Sequence, residues 1–381
     1  MCIGAVAALV LFALLYGWLL AWYCRQWHAM PACIVPPDFV PVARLTVVVA
    51  ARNEAGRLAE CLEHLCGQAY PQGLVEILVV DDHSEDETVA IAKRFEGRGV
   101  RVLELKDAPR MANGGLRTSK KMALDWGIRH AVGDYILTTD ADCAVPGNWM
   151  RDMAFAFEHK GWHCVAGPVV FEGASGLLQR FQALDFLGMM LITGAGFHGR
   201  LTHLANGASF GFSKKAFEAV GGYADNLHMA SGDDLFLLHK IKEKFPVGFL
   251  KTPHAVLTHA QSDLEAFVWQ RLRWGTKSRA YRDWRITLAL AVVFFHSWGI
   301  LLSIPAMLAI PGIFVPLFLA QLGIKSVSDY RMLKIAAGYF GKSPLMRVFW
   351  PAQGLHILYI AGIGLAANLS IAYLWKGRKV R

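Results

Sequence analysis

The sequence predicts an α/β protein: a mostly parallel, doubly wound sheet set between N-terminal and C-terminal apolar segments long enough to cross a bilayer. Three observations predict it. From Leu45 to Asp140, runs rich in β-branched residues and free of polar alternation are separated by helix-like runs, the pattern of a parallel sheet covered on both faces. Polar clusters fall at the ends of those runs, where ligands sit in such sheets. Residues 1–24, 286–324 and 348–375 carry no Asp, Glu, Lys or Arg, and roughly 20 apolar residues suffice for a membrane helix.

The elements follow in order. Residues 1–24 are expected as an N-terminal transmembrane helix. They lack a basic n-region and a small-x-small cleavage site and end in AWYCRQW, which suits a membrane interface better than a cleaved leader. A Pro-rich linker covers 25–44. The domain expected at 45–285 then opens with strand 45-LTVVVAAR-52, helix 57-RLAECLEHL-65, strand 76-EILVVDD-82 and helix 86-DETVAIAKRF-95. Strand 100-VRVLEL-105, helix 118-TSKKMALDWGIRHA-131 and strand 134-DYILTTD-140 complete its regular half. The less regular half holds 164-CVAGPVVF-171, a helical 175–190, 206-NGASFGFSKKAFEAVGGY-223, 231-SGDDLFLLHKIKEKF-245 and 263-DLEAFVWQRLRWGTKSR-279. Two transmembrane helices are expected in 286–324, an amphipathic interfacial segment at 325–347, a last transmembrane helix at 348–375 and a basic tail at 376–381.

Composition narrows the partners. The formal charge of +9 comes without a Lys/Arg stripe interleaved with aromatics, so no nucleic-acid partner is expected; a basic face beside anionic lipid and anionic substrates fits better. Seven cysteines, at 2, 24, 33, 61, 66, 143 and 164, form no CxxC pattern and read as reduced, mostly buried thiols.

Three polar clusters end three strands: 51-ARNEA-55, 81-DDHSED-86 and 140-DAD-142. Solvated loop starts explain one such cluster easily and three less well. Asp oxygens are hard donors suited to Mg2+ or Mn2+, and a short Asp-x-Asp suits a metal–diphosphate rather than a bare ion. Cys143 is too soft for such a metal. Asp82 can accept from a base N–H, Asn53 and Glu54 can meet a ribose or base edge, and Lys120 at a helix start can neutralise a diphosphate oxygen.

The ordered series ARNE, VVDDHSED, SKKMALDWGI, GDYILTTDADC, SGDD and QRLRW, from about Leu45 to Arg279, resembles the inverting glycosyltransferases of family 2 with their GT-A fold. Its apolar flanks are similar to those of the membrane-embedded members, the cellulose, poly-N-acetylglucosamine and hyaluronan synthases and ceramide glucosyltransferase. The resemblance implies a nucleotide-sugar donor, most simply a UDP-sugar, and a glycan or lipid-linked acceptor. It implies that Asp82 holds the base with Asn53 and Glu54 nearby, Lys120 faces the diphosphate, Asp140 meets ribose or metal, and Asp142 ligates Mg2+ or Mn2+. It implies Asp234 as general base, supported by Asp233 where the family has Glu, and Gln270, Arg273 and Trp274 beside acceptor and diphosphate. Asp125 stands where the family usually has Asn.

Plainer readings stay open at this level. Asp233–Asp234 suits a helix N-terminus, QRLRW an interfacial helix edge, Lys120–Lys121 a solvated face, and His254 and His259 packed or exposed positions. Synthesis of nucleotide sugars in the cytosol implies a cytoplasmic catalytic domain on an integral protein of the inner or plasma membrane. The basic tail would then fall outside, against the positive-inside tendency. A processive polymerase and a single transfer onto lipid fit QxxRW equally. A non-catalytic nucleotide- or glycan-binding membrane subunit is the alternative from another class, and a transporter is disfavoured by the few apolar segments. Donor sugar, linkage and protein partners are not specified.

Overall fold

The computed structural model describes residues 2–108, 119–226, 232–276, 283–369, 373–375 and 378–380. Helix α1 (Cys2–Ala29) opens the chain. Strand β1 (Leu45–Ala51), α2 (Leu58–Cys66), β2 (Val75–Asp81), α3 (Thr88–Lys93), β3 (Val100–Glu104), α4 (Lys120–His130) and β4 (Tyr135–Asp140) follow. Then come α5 (Trp149–Lys160), β5 (Cys164–Ala166), β6 (Val169–Glu172), α6 (Leu177–His198), β7 (Phe210–Ser213) and α7 (Lys214–Ala219). After these lie α8 (Asp233–Ile241), β8 (Val247–Phe249), β9 (Val256–His259) and α9 (Leu264–Thr276). The chain ends with α10 (Trp284–Ala309), α11 (Pro311–Tyr339), α12 (Phe349–Asn368) and the short antiparallel pair β10 (Tyr373–Trp375) and β11 (Arg378–Val380).

The contacts divide the chain into two units. The first, Pro31–Glu172 with His203–His259, is built on a seven-stranded sheet of order β3-β2-β1-β4-β7-β5-β8. The β1–β2, β2–β3, β1–β4 and β5–β8 pairs are parallel; β7 runs antiparallel to β4 and β5. The expected α/β fold is therefore observed, with one reversed strand. Val47, Val48 and Val49 of β1 and Leu78, Val79 and Val80 of β2 are wholly buried, which explains the missing polar alternation. The 164–171 run is two strands, β6 pairing with β9 in a separate sheet.

Two local features set the start of α4. The Ser119 side chain accepts from the Met122 N–H at 3.2 Å, an N-cap that fixes Lys120 as the first helical residue. Gly127 lies so close to the sheet that a Cβ would approach Val48 Cγ1 to 2.6 Å and Val80 Cγ2 to 2.9 Å. A larger residue there would push α4, and Lys120 with it, off the sheet.

The second unit comprises Met1–Met30, Gly173–Thr202 and Ala260–Arg381. Four of its helical segments, Ile3–Ala29, Trp284–Ala309, Pro311–Tyr339 and Ser343–Asn368, are long and apolar enough to cross a membrane. The boundaries differ from the expected ones in four places. The sequence puts α6 and α9 inside a continuous 45–285 domain; in the structure α6 packs on α1 and α11, and α9 on α12, so both join the helical unit. The segment expected as interfacial from residue 325 continues α11 to Tyr339; its Arg331 and Lys334 are exposed, but Lys325 and Asp329 are 0% and 4% exposed and pair with each other at 2.7 Å. The last helix stops at Asn368, short of the expected residue 375, and α1 runs past residue 24 to Ala29 with Trp27 buried.

Candidate active site

The site is built at the carboxyl ends of β1, β2 and β4. Their register places Ala50 opposite both Val80 and Asp140, and Ala51 opposite Asp81, so the three acidic loops leave one edge of the sheet. The first two loops are laced together. The Asn53 N–H donates to Ser84 Oγ at 3.0 Å, Asn53 Oδ1 accepts from the Glu85 N–H at 2.9 Å, and the Glu54 N–H donates to Thr88 Oγ1 at 2.8 Å. Asn53 adopts φ 51° and His83 φ 59°, left-handed turns that the cross-bonds hold. Arg52, which sequence reasoning passed over, donates from Nη1 to the Asp82 carbonyl at 2.8 Å. Asn53 thus braces the loop, and Asp82 is the buried carboxylate at its centre.

Asp82 is 2% exposed and its N–H donates to the Ala51 carbonyl at 2.8 Å, extending the β-ladder by one residue. Its Oδ1 lies 3.2 Å from His83 Nδ1. Burial pushes its carboxyl up to about 6, against the opposing pull of His83 and Arg52.

At the end of β4, Lys120 Nζ donates to Asp140 Oδ1 and lies 3.8 Å from Asp233 Oδ2. Burial pulls this ammonium down, but Asp140 and Asp233 outweigh it and hold Lys120 protonated above the ordinary lysine value. The neighbouring Lys121 does not form the solvated face that the paired lysines allowed: it is fully buried, with Nζ 5.6 Å from the centre of the Phe236 ring. Asp125 is also buried and pairs with Arg129 at 2.9 Å.

Asp233 and Asp234 form the first turn of α8, after Gly232 at φ 81°. Asp234 Oδ2 accepts from the Gly207 N–H at 2.9 Å and Oδ1 from its neighbour Leu235 N–H at 2.7 Å. Gly207 is a position within this cluster that sequence reasoning missed. A Cβ there would come within 3.2 Å of Lys120 Nζ, 3.3 Å of Asp233 Oδ2 and 3.9 Å of Asp234 Oδ2. Thr138 of β4 fixes its carbonyl through Oγ1 at 3.0 Å, and Asn206 Oδ1 accepts from the Ala208 N–H at 3.0 Å. The Asn-Gly pair at 206–207 is a turn signal that could have pointed there.

Asp140, Asp142 and Cys143 bring one potential ligand atom each to within 4.8 Å of one another. The two carboxylates, both partly exposed, fit a hard divalent cation. The thiol does not: burial pushes Cys143 well above the ordinary range, so it stays protonated, 3.6 Å from Asp142 Oδ1.

The structure thus gathers Lys120, Asp140, Asp233 and Asp234 around Gly207, with Asp82, Asn53 and Glu54 on the adjoining loops. Gln270, Arg273 and Trp274 lie on α9 in the helical unit, each half-buried.

The model of glycosyl transferase family group 2 matches residues 135–325, half of the chain. The chain belongs to glycosyl transferase family group 2. The glycosyl transferase family 2 model matches the preceding and overlapping stretch, residues 46–221. This family group 2 chain is 29% identical over 269 residues to the Beta-monoglucosyldiacylglycerol synthase of Synechocystis sp., covering 68% of this chain and 53% of that protein. It is 24% identical over 286 residues to the synthase of the same name from Trichormus variabilis, covering 71% and 57%. The chain therefore spans about half the length of these curated relatives. The mannosyltransferase PcManGT from Pyrobaculum calidifontis, solved in complex with GDP-Man and Mn2+, superposes with a TM-score of 0.58 at 19% identity, over 95% of this chain and 97% of that one. That likeness carries the fold: the GT-A-like α/β arrangement expected of a family group 2 member is the one observed.

Proposed function

We propose that this family group 2 member transfers a sugar from a nucleotide-sugar donor, a UDP-sugar in the first instance, to a hydroxyl of a membrane lipid, inverting the anomeric centre to form a β-linkage. One observation carries the reading. At the carboxyl end of β4 a lysine bridges Asp140 and Asp233, and the adjacent Asp234 is aimed by a backbone N–H. Cation, metal-type carboxylates and oriented base are thereby held on one side of one sheet.

Each residue has a defined task. Asp82, at the foot of the crevice, accepts from the base N–H, and the braced Asn53–Glu54 turn shapes the wall beside it. Lys120 meets the negative charge that gathers on the departing diphosphate. Asp140 and Asp142 would hold Mg2+ or Mn2+, which when bound adds charge neutralisation at the same diphosphate. Asp234 takes the proton of the acceptor hydroxyl as that oxygen attacks; an oxygen already accepting one N–H has a second lone pair for this. Asp233 keeps Lys120 in place. Trp274 offers a flat apolar face to the acceptor, with Gln270 and Arg273 beside it on α9. Because nucleotide sugars are made in the cytosol, the sheet unit faces the cytoplasm in this reading, with the four apolar helices crossing the membrane.

The lipid acceptor is favoured by the two diacylglycerol-glucosylating relatives and by the four membrane-length helices. The test is a donor screen with the purified protein in vesicles containing dioleoylglycerol, with and without Mn2+, and mass analysis of the lipids. One added hexose on the lipid supports the reading. A ladder of masses would mean polymerisation, and nucleotide binding without any product would mean a non-catalytic binding subunit.

A further inference from the structure

Inside the helical unit lies a chain of polar side chains that none of the roles above uses. It starts at Arg271, one position after Gln270 on α9. Arg271 is 1% exposed, and its guanidinium carbon lies 4.4 Å from the centre of the Trp274 ring, 5.2 Å from Phe267 and 5.6 Å from Tyr359. Its ion partner is Asp185 of α6, at 3.4 Å. The other oxygen of Asp185 lies 3.7 Å from His356 Nε2 on α12, and His356 Nδ1 lies 3.1 Å from Lys325 Nζ. A lysine ammonium only donates, so His356 accepts at Nδ1 and carries its proton on Nε2, facing Asp185. Lys325 pairs in turn with Asp329 at 2.7 Å, and Asp329 also accepts from Tyr16 of α1 and, at 3.0 Å, from Gln353 of α12. Charges alternate along the chain, and the two acids balance the two bases.

The consequence falls on α9. Its Gln270, Arg273 and Trp274 require a fixed helix rotation to do anything specific, yet α9 buries only Phe267, Arg271 and Leu272. Arg271 is the charged member of that buried strip; its guanidinium carbon lies over the Trp274 ring, whose centre is 5.8 Å from that of the tilted Phe186 ring. A guanidinium plane can pair with a carboxylate and stack on an indole at once; an ammonium can only do the first.

We propose that Arg271 is the positioning residue for the Gln270–Trp274 surface: Asp185 holds its charge, and its plane sets the rotation of α9 and the tilt of the Trp274 ring. This rests on the proposed use of Trp274 at the acceptor. The test compares Arg271→Lys and Asp185→Asn with the wild type in dioleoylglycerol vesicles with UDP-glucose, with UDP binding and amide exchange of residues 264–276 measured on the same samples. In both variants, the KM for dioleoylglycerol rises by about tenfold or more, UDP binding stays within about twofold and exchange along α9 quickens. A role confined to charge balance would be rescued by lysine. Wild-type acceptor KM in Arg271→Lys, or unchanged α9 exchange in both variants, overturns the proposal. If the wild type glucosylates no lipid, the functional reading falls, while selective loosening of α9 still supports the anchoring by Arg271.

Discussion

The Gly207 N–H donates to Asp234 Oδ2 at 2.9 Å, so the carboxylate assigned as the base is aimed by a backbone group with no side chain between them. The Gly207–Ala replacement tests this relationship. The new methyl would sit 3.2 Å from Lys120 Nζ and 3.3 Å from Asp233 Oδ2, and the backbone there does not need a positive φ. Gly207→Ala is expected to fold with a Tm near wild type while transfer falls about tenfold to a hundredfold through misplacement of Lys120 and the acids. Parallel melting curves and steady-state rates check it.

Asp82 gives a pH signature. Its folded carboxyl sits at about 6, above the ordinary 3.8, chiefly through burial. Its ionised form therefore predominates only above pH 6, and that form is the stronger acceptor for a base N–H. UDP affinity is expected to fall as pH drops through 6, with proton release on binding near that pH, measurable by calorimetry in two buffers.

The raised Asp82 carboxyl has the opposite consequence for stability. The unfolded chain ionises first, so the folded state loses ground as pH rises from 3.8 to about 6. Above that window the loss levels off at about 3 kcal/mol. Asp82→Asn is thus expected to raise Tm at pH 8 while weakening UDP binding. A lower Tm at pH 8 would show that the His83 and Arg52 contacts outweigh burial.

Metal binding should register without turnover. If Asp140 and Asp142 hold the ion, Mn2+ raises the wild-type Tm in proportion to RT ln(1 + [L]/Kd). Asp142→Ala should lose most of that rise and Cys143→Ala should keep it, since the buried thiol stays protonated.

The buried pair of α11 has a double-mutant test. Lys325→Met alone strands Asp329, and Asp329→Leu alone strands Lys325; each is expected to cost about 3–5 kcal/mol. The double variant should recover part of that loss, because no unpaired charge is left, but not all of it, because the Tyr16 hydroxyl and the Gln353 amide lose the carboxylate they donate to. Unfolding in detergent, followed by loss of helix, measures it.

The parallel half of the fold was legible because buried central strands such as Val47–Val49 and Leu78–Val80 cannot alternate with polar residues. The reversed β7 and the β5/β6 split were not, since strands of three or four residues carry too little period to reveal direction or partner. Asp82 and Asp140 stood out as charges where an apolar run stops, Lys120 as a charge at a helix start, and Asp234 through the resemblance to the family's acidic pair. Gly207 did not, because its importance lies in a contact to a distant helix start and in the room it leaves. Lys325 and Asp329 looked interfacial because a charge on an apolar helix shows its cost in the sequence but not its partner. Arg271 was hidden inside QRLRW for the same reason: burial, not residue type, separates it from Arg273.

The most direct test of the central claim is single-turnover transfer by Asp234→Asn, with UDP binding measured on the same sample. Asn keeps an oxygen for the Gly207 N–H but cannot take up a proton at neutral pH. UDP binding should remain within about twofold of wild type while the transfer rate falls by about 100-fold to 10,000-fold. Transfer at the wild-type rate with UDP binding intact would contradict the assignment of Asp234 as the base.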